Sequence, residues 1–192
     1  MKQKTINIYN FNELSKKSKE IAIEQNREIN IQEDWYDGLH EQFKEELNSI
    51  GVNCKSFYWD LYRSRDFKAE DLIVTDNKKL LKKAGLINWL VMNELREEKT
   101  LIDIYGISLN EYGEADIGIE FKVEDNLSIE EFEERVKETR EIEEKIREFF
   151  DEKFKKFWET INKEYDYLLS DEAISEHLEM NEGEFNKNGS RY

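Results

Sequence analysis

A chain of 192 residues is the size of one ordinary domain or two small ones, and at this length roughly 70% of the unfolded surface can be buried without a disulfide or metal. Charged residues make up 39%, hydrophobic ones 38% and aromatics 12%, an aromatic share too high for a wholly disordered acidic tail. A formal net charge of −16 argues against binding nucleic acid directly through the acidic surface, and equally against an anionic membrane.

The charge has a place. Residues 1–110 hold 19 acids and 17 bases, whereas residues 111–192 hold 26 acids and 12 bases. No Gly/Ser/Pro linker marks the change, and proline is absent altogether. The reading is therefore a single α+β domain over 1–192, with 128–170 a long acidic helix and 171–192 a short helix plus polar tail. Cys54 is the only cysteine, so no internal disulfide forms and a reducing compartment is the natural setting. No apolar run approaches the roughly 20 residues of a membrane span, and the N-terminus lacks a signal-peptide core.

In chain order, Thr5–Tyr9 alternates as a first strand. Asn12 is placed to cap a helix that ends near Asn30. Asn30-Ile31-Gln32-Glu33 resembles a capping box and predicts a second helix, with Trp35, Leu39, Phe43 and Leu47 along one side and Gly51 as its stop. Lys55–Arg63 and Asp71–Thr75 read as paired strands joined by a turn at 63–66. A third helix is expected from Asp76 to Glu98, with a kink or break at Gly85. Leu101–Asn110 and Ala115–Glu124 form a hairpin through Glu111-Tyr112-Gly113. Together these predict an antiparallel sheet of four to five strands covered by helices. Ser128 to Leu169 reads as one helix of about 60 Å, its apolar stripe thinning to Thr139 and Ile142 between Val136 and Ile146. Ser170 caps the last short helix, Asp171 to Met180.

Two ends of the chain carry a resemblance. Phe11-Asn12-Glu13-Leu14-Ser15 and Asp34-Trp35-Tyr36-Asp37 at the start, with Glu164-Tyr165-Asp166-Tyr167-Leu168-Leu169-Ser170-Asp171-Glu172-Ala173 and Asn181-Glu182-Gly183-Glu184-Phe185 at the end, resemble a widespread family of uncharacterised phage and prophage proteins, sometimes labelled antitoxin-like. The similarity extends over about three quarters of the chain. It departs where the family carries a glycine-rich acidic stretch and this chain has Ser64-Arg65-Asp66-Phe67-Lys68-Ala69. The resemblance implies a viral or mobile-element setting, in the cytoplasm of a host cell, and a contest with host machinery.

Enzymatic chemistry finds little material. One cysteine and two histidines do not make a Cys/His zinc site. His40 sits at the border of the second helix's apolar stripe and His177 on the last helix, both read as ordinary. A Cys54/His40 nucleophile pair is conceivable, but Cys54 belongs to a packed strand. There is no nucleophile elbow, phosphate loop or dinucleotide fingerprint. Asp60, Glu70 and Asp71 are the candidate metal trio, set against the plainer account of exposed acids on a wet face. No catalytic, cofactor-binding or metal residue is therefore assigned, and no cofactor.

What remains is the long helix, where Glu130, Glu133, Glu134, Glu138, Glu141, Glu144 and Glu148 form the candidate partner-binding surface. A solvated face with intrahelical ion pairs explains them simply. The sharper account is recognition of a basic host protein or nucleoprotein complex, the carboxylates imitating nucleic-acid phosphates. The expected function is a phage-derived, non-enzymatic inhibitor of a host defence complex, anti-CRISPR-like in its most specific form. The alternatives are an antitoxin-like or self-associating structural protein, dimerising through the long helix, and a carboxylate/metal-dependent enzyme.

Overall fold

A computed structural model of the chain describes residues 7–32, 34–60, 66–87, 101–109, 115–122, 128–181 and 183–192, with the backbone alone at 58–60, 66–71, 101–109, 115–122, 131, 132 and 135. The fold mixes helix and strand: β1 (Tyr9–Asn10), α1 (Lys16–Gln25), α2 (Asp37–Ser49), β2 (Val52–Asp60), β3 (Asp66–Val74), α3 (Asn77–Lys83), β4 (Leu101–Leu109), β5 (Ala115–Lys122), α4 (Ile129–Leu168), α5 (Asp171–Met180) and β6 (Glu184–Phe185). The chain divides into two compact units, Met1–Asp37 with Thr160–Tyr192, and Gly38–Glu159. Among the described residues the ladders join strands two by two, β1 with β6, β2 with β3 and β4 with β5, rather than as the one sheet of four to five strands expected.

The first unit is assembled from both ends of the chain. Tyr9 pairs with Phe185 and Asn10 with Glu184, so the first strand lies at 9–10, with Thr5 and Ile6 outside the described residues. Asn12 does not cap α1; it lies in a 3-10 turn, Phe11–Glu13, and Ser15 is the cap, its Oγ accepting from the Ser18 amide at 3.2 Å. α1 stops at Gln25 because the Asn26 side chain turns back onto it, donating to the Ala22 carbonyl at 2.7 Å. A second 3-10 turn, Ile29–Ile31, occupies the place of the expected capping box. Phe11, Leu14, Ala22, Ile23, Ile174, Leu178 and Phe185 form this unit's core.

α2 begins at Asp37, several residues later than the apolar spacing suggests. Asp34 takes a left-handed conformation, φ 62°, which a continuous helix does not permit. Trp35 and Tyr36 precede the helix and stack edge to face at 5.7 Å, and Trp35 also meets Tyr165 at 5.8 Å. Long-range aromatic contact therefore overrides the local helical periodicity here.

The second unit holds two hairpins and an aromatic core. β2 and β3 pair antiparallel from Val52 opposite Val74 to Asp60 opposite Asp66, so β3 starts five residues earlier than expected. β4 pairs with β5 from Leu101 opposite Lys122 to Leu109 opposite Ala115, with an irregularity between Tyr105 and Ile107. β3 also lies beside β4. α3 is short, ending at Lys83 just before Gly85 with its φ of 79°, at the break anticipated there; the rest of the predicted helix, 88–98, lies outside the described residues. Phe43 stacks face to face on Phe157 at 3.9 Å, and Phe57 and Phe154 approach Phe43 at 5.4 and 5.5 Å.

α4 is continuous over 40 residues. Its thin middle does not break, because Ile142 is buried and joins Ile146, Phe150, Phe154, Phe157 and Ile161 in one stripe with three- and four-residue steps. Its last carbonyls have no intrahelical donors, and the segment that follows α1 supplies them. Asn30 Nδ2 donates to the Leu168 carbonyl and Arg27 Nη1 to that of Leu169, each at 3.1 Å. Arg27 also pairs with Glu24 and Asp171, hydrogen bonds and charges that hold its guanidinium pKa above the usual value. The Ser170 cap of α5 stands as expected, accepting from the Ala173 amide at 3.2 Å. The polar tail is folded: Phe185 is fully buried.

Candidate docking surface

Helical periodicity decides which acids of α4 face water. With the buried stripe at Ile142, Ile146 and Phe150, the opposite side falls on Glu134, Glu141 and Glu148, which recur every seven residues and form one column spaced about 10.5 Å apart. All three are exposed, as are Glu130, Glu133 and Glu144, while Glu138 is half-buried. Six of the seven predicted residues thus present freely accessible carboxylates, on the face the pattern assigned them.

The surface is mixed in sign. Lys137, Arg140 and Lys145 are exposed among these acids, and Arg147 bridges Glu143 one turn back at 3.2 Å. α4 as a whole carries 14 acids and 9 bases. Exposed pairs of this kind contribute at most about 0.5 kcal/mol each, so they leave the outer column available without rigidifying it.

Charge is denser on α5. Its ten residues contain Asp171, Glu172, Glu176 and Glu179, all exposed, and neither lysine nor arginine. Asp171 and Glu172 lie in the first turn, where the helix dipole favours them; Glu176 and Glu179 do not. The Tyr167 hydroxyl reaches Glu176 Oε2 at 3.4 Å, and its pKa is raised, chiefly by the charge of Glu176, then by some loss of hydration and that hydrogen bond, with Glu172 and Glu164 adding to it. Net charge taken over 111–192 hid this concentration, although a ten-residue window over 171–180 displays it.

The other candidates are placed differently. Cys54 is buried in β2 with its thiol donating to the Ser56 carbonyl at 3.4 Å, a setting for a packed cysteine rather than an accessible nucleophile. The His40 ring lies 5.4 Å from that of Phe57, at the border position expected. His177 is half-buried on α5. The β2–β3 register sets Asp60 opposite Asp66 and Glu70 opposite Ser56. Asp60 and Glu70 are therefore about 13 Å apart along the ladder, so the pairing does not gather the Asp60, Glu70 and Asp71 trio. Among the described residues, no group of three His, Cys, Asp or Glu side chains is arranged to hold a metal ion, and no helix is long and apolar enough to cross a membrane.

The apolar stripe of α4 is covered by the chain itself. Among the described residues of this helix only Ile129 and Tyr167 remain exposed as large hydrophobic side chains. Phe149, beside that stripe, is half-buried with its ring against Phe150 and the Lys153 ammonium 5.4 Å from its centre. No protein-family model, curated protein or solved structure matches the chain.

Proposed function

We propose that this chain is a phage-derived, non-enzymatic binding protein that inhibits a host defence complex in the cytoplasm of the host cell, with a CRISPR effector as the most specific target. The partner is a basic protein or nucleoprotein complex whose nucleic-acid site accepts carboxylates in place of phosphates. The observation that carries this reading is the column of Glu134, Glu141 and Glu148 on the outer side of α4, exposed over three successive heptads. Its repeat of about 10.5 Å is close to the rise of three nucleotides along one strand of B-DNA, at 3.4 Å each. α5, with four acids and no lysine or arginine of its own, adds a second element of the same sign, although Asp171 is paired with Arg27. The phage setting itself rests on the resemblance of the two chain ends.

Such a surface steers association electrostatically and loses strength as salt rises. Purified protein is expected to displace target DNA from a basic effector complex, less effectively at 0.5 M salt than at 0.1 M. Reversing the column residues Glu134, Glu141 and Glu148 to lysine should weaken the inhibition by about tenfold or more, the equivalent of about 1.4 kcal/mol. The matching reversal of Glu172, Glu176 and Glu179 reports on α5. Inhibition that neither set alters, or that salt does not touch, would exclude the acidic surface as its source.

A further inference from the structure

The last ten residues form a small device of their own. Glu184–Phe185 and Arg191–Tyr192 run back to back, with Phe185 bridged to Arg191 and the Tyr192 amide donating to the Glu184 carbonyl at 3.0 Å. The turn between them is internally bonded: Asn186 donates to the Ser190 carbonyl and Gly189 to that of Asn186, both at 2.8 Å, while Asn188 Oδ1 accepts from the Ser190 amide and hydroxyl. Gly183–Tyr192 is thus a hairpin whose hydrogen bonds are mostly within itself.

It is attached to the rest of the first unit at four points, the first at its own start, where the Gly183 amide donates to the Leu178 carbonyl at 3.4 Å. Phe185 enters the core, its ring 6.1 Å from that of Phe11. β6 pairs with β1 over only two residues. The turn rests on α1 at Ser18, whose Oγ donates to the Lys187 carbonyl at 2.9 Å, and where Gly189, φ 90°, approaches so closely that a Cβ would stand 2.0 Å from the Ser18 carbonyl oxygen. Apart from Phe185 and the exposed Tyr192, every side chain of the segment is polar or absent. One buried ring therefore holds a preformed strap.

We infer that Gly183–Tyr192 is a clasp that releases as one unit while the remaining fold stays intact, baring the Tyr9–Asn10 edge and the apolar socket of Phe11, Leu14 and Ile174. Release is sub-global because the attachments are few and local. Once undocked, the hairpin frays, since two strands alone are marginal in water. Contacts of Phe185 with the socket and the glycine seat on Ser18 set the population of the open state.

Native-state hydrogen exchange on the full chain tests this. The amides of Asn186, Gly189 and Tyr192 are expected to exchange with a common opening constant, at least tenfold more often than those of Ile23 in α1 and Leu178 in α5, which belong to the same unit. Phe185→Ala should raise strap exchange about 100-fold and leave those α1 and α5 amides within threefold of the parent, and Gly189→Ala should act in the same direction through a different contact. Strap amides that exchange together with Ile23 and Leu178 in the parent protein, which needs no variant to measure, would overturn the proposal. So would a Phe185→Ala chain whose α1 and α5 amides lose protection as much as its strap.

Discussion

Phe154→Ala is expected to destabilise the second unit by about 3–5 kcal/mol, the cost of emptying a core site that neighbours cannot refill. Phe154 is fully buried, meets Phe43 edge-on at 5.5 Å and Phe150 at 6.1 Å. Truncation removes both ring contacts, worth about 0.5–1.5 kcal/mol each beyond their area. The stacked partners Phe43 and Phe157, at 3.9 Å, are already in close contact and have little freedom to collapse into the gap. Against a total stability of about 5–15 kcal/mol, this is a large fraction, and the melting temperature should fall by roughly 10 °C, at about 2–4 °C per kcal/mol for a chain of this size. Thermal and urea unfolding followed by far-ultraviolet circular dichroism measures it. The exposed neighbour Lys155, changed to alanine, should shift stability by no more than about 0.5 kcal/mol. A Phe154→Ala cost below 1 kcal/mol would mean that the aromatic core is not packed as described.

Gly51→Ala is the second large effect, and its size comes from the backbone. Gly51 ends α2 with φ 84°, and a Cβ there would lie 2.6 Å from the Asp76 carbonyl oxygen and 2.9 Å from Asp76 Cβ. The Gly51 carbonyl also accepts from the Thr75 and Asp76 amides at 2.8 and 3.1 Å and from the Thr75 hydroxyl at 3.1 Å. One residue therefore closes the corner between α2, β2 and the start of α3. A left-handed alanine costs about 1–2 kcal/mol before any clash, and displacing the Asp76 backbone disturbs three hydrogen bonds worth about 0.5–1.5 kcal/mol each. A loss above about 2 kcal/mol is expected in denaturant titrations. Gly38→Ala provides the contrast: Gly38 lies inside α2 with open space around the would-be Cβ, so the same substitution should stabilise by up to about 1 kcal/mol. If both substitutions change stability alike, the conformational argument at Gly51 fails.

Local chemistry made much of this architecture legible. Both long hairpins follow from alternation, α4 follows from its three- and four-residue apolar steps, and the Ser170 cap and the Gly51 stop follow from side-chain type alone. The failures occur where distant residues decide. Trp35 fits the period of α2, yet it is placed by Tyr165, 130 positions away. Phe185, isolated among polar residues, reads as part of a tail until Tyr9 and Phe11 are seen beside it. Asn12 and Asn30 satisfy capping statistics, but Ser15 supplies one cap and a 3-10 turn replaces the other. The acidic column of α4 was readable because a buried stripe dictates its opposite face. The denser charge of α5 was visible only in a short window, and the separation of Asp60 from Glu70 needed the ladder register.

The pairing of Tyr9 with Phe185 also sets a timetable. Synthesis proceeds at about 5–20 residues per second, so the N-terminal segment waits roughly 10–35 s for the strand that completes its core. During that interval Gly38–Glu159 emerges as an uninterrupted stretch able to organise itself first. Phe11, Leu14 and Ala22 meanwhile lack the Ile174, Leu178 and Phe185 side chains with which they form their core.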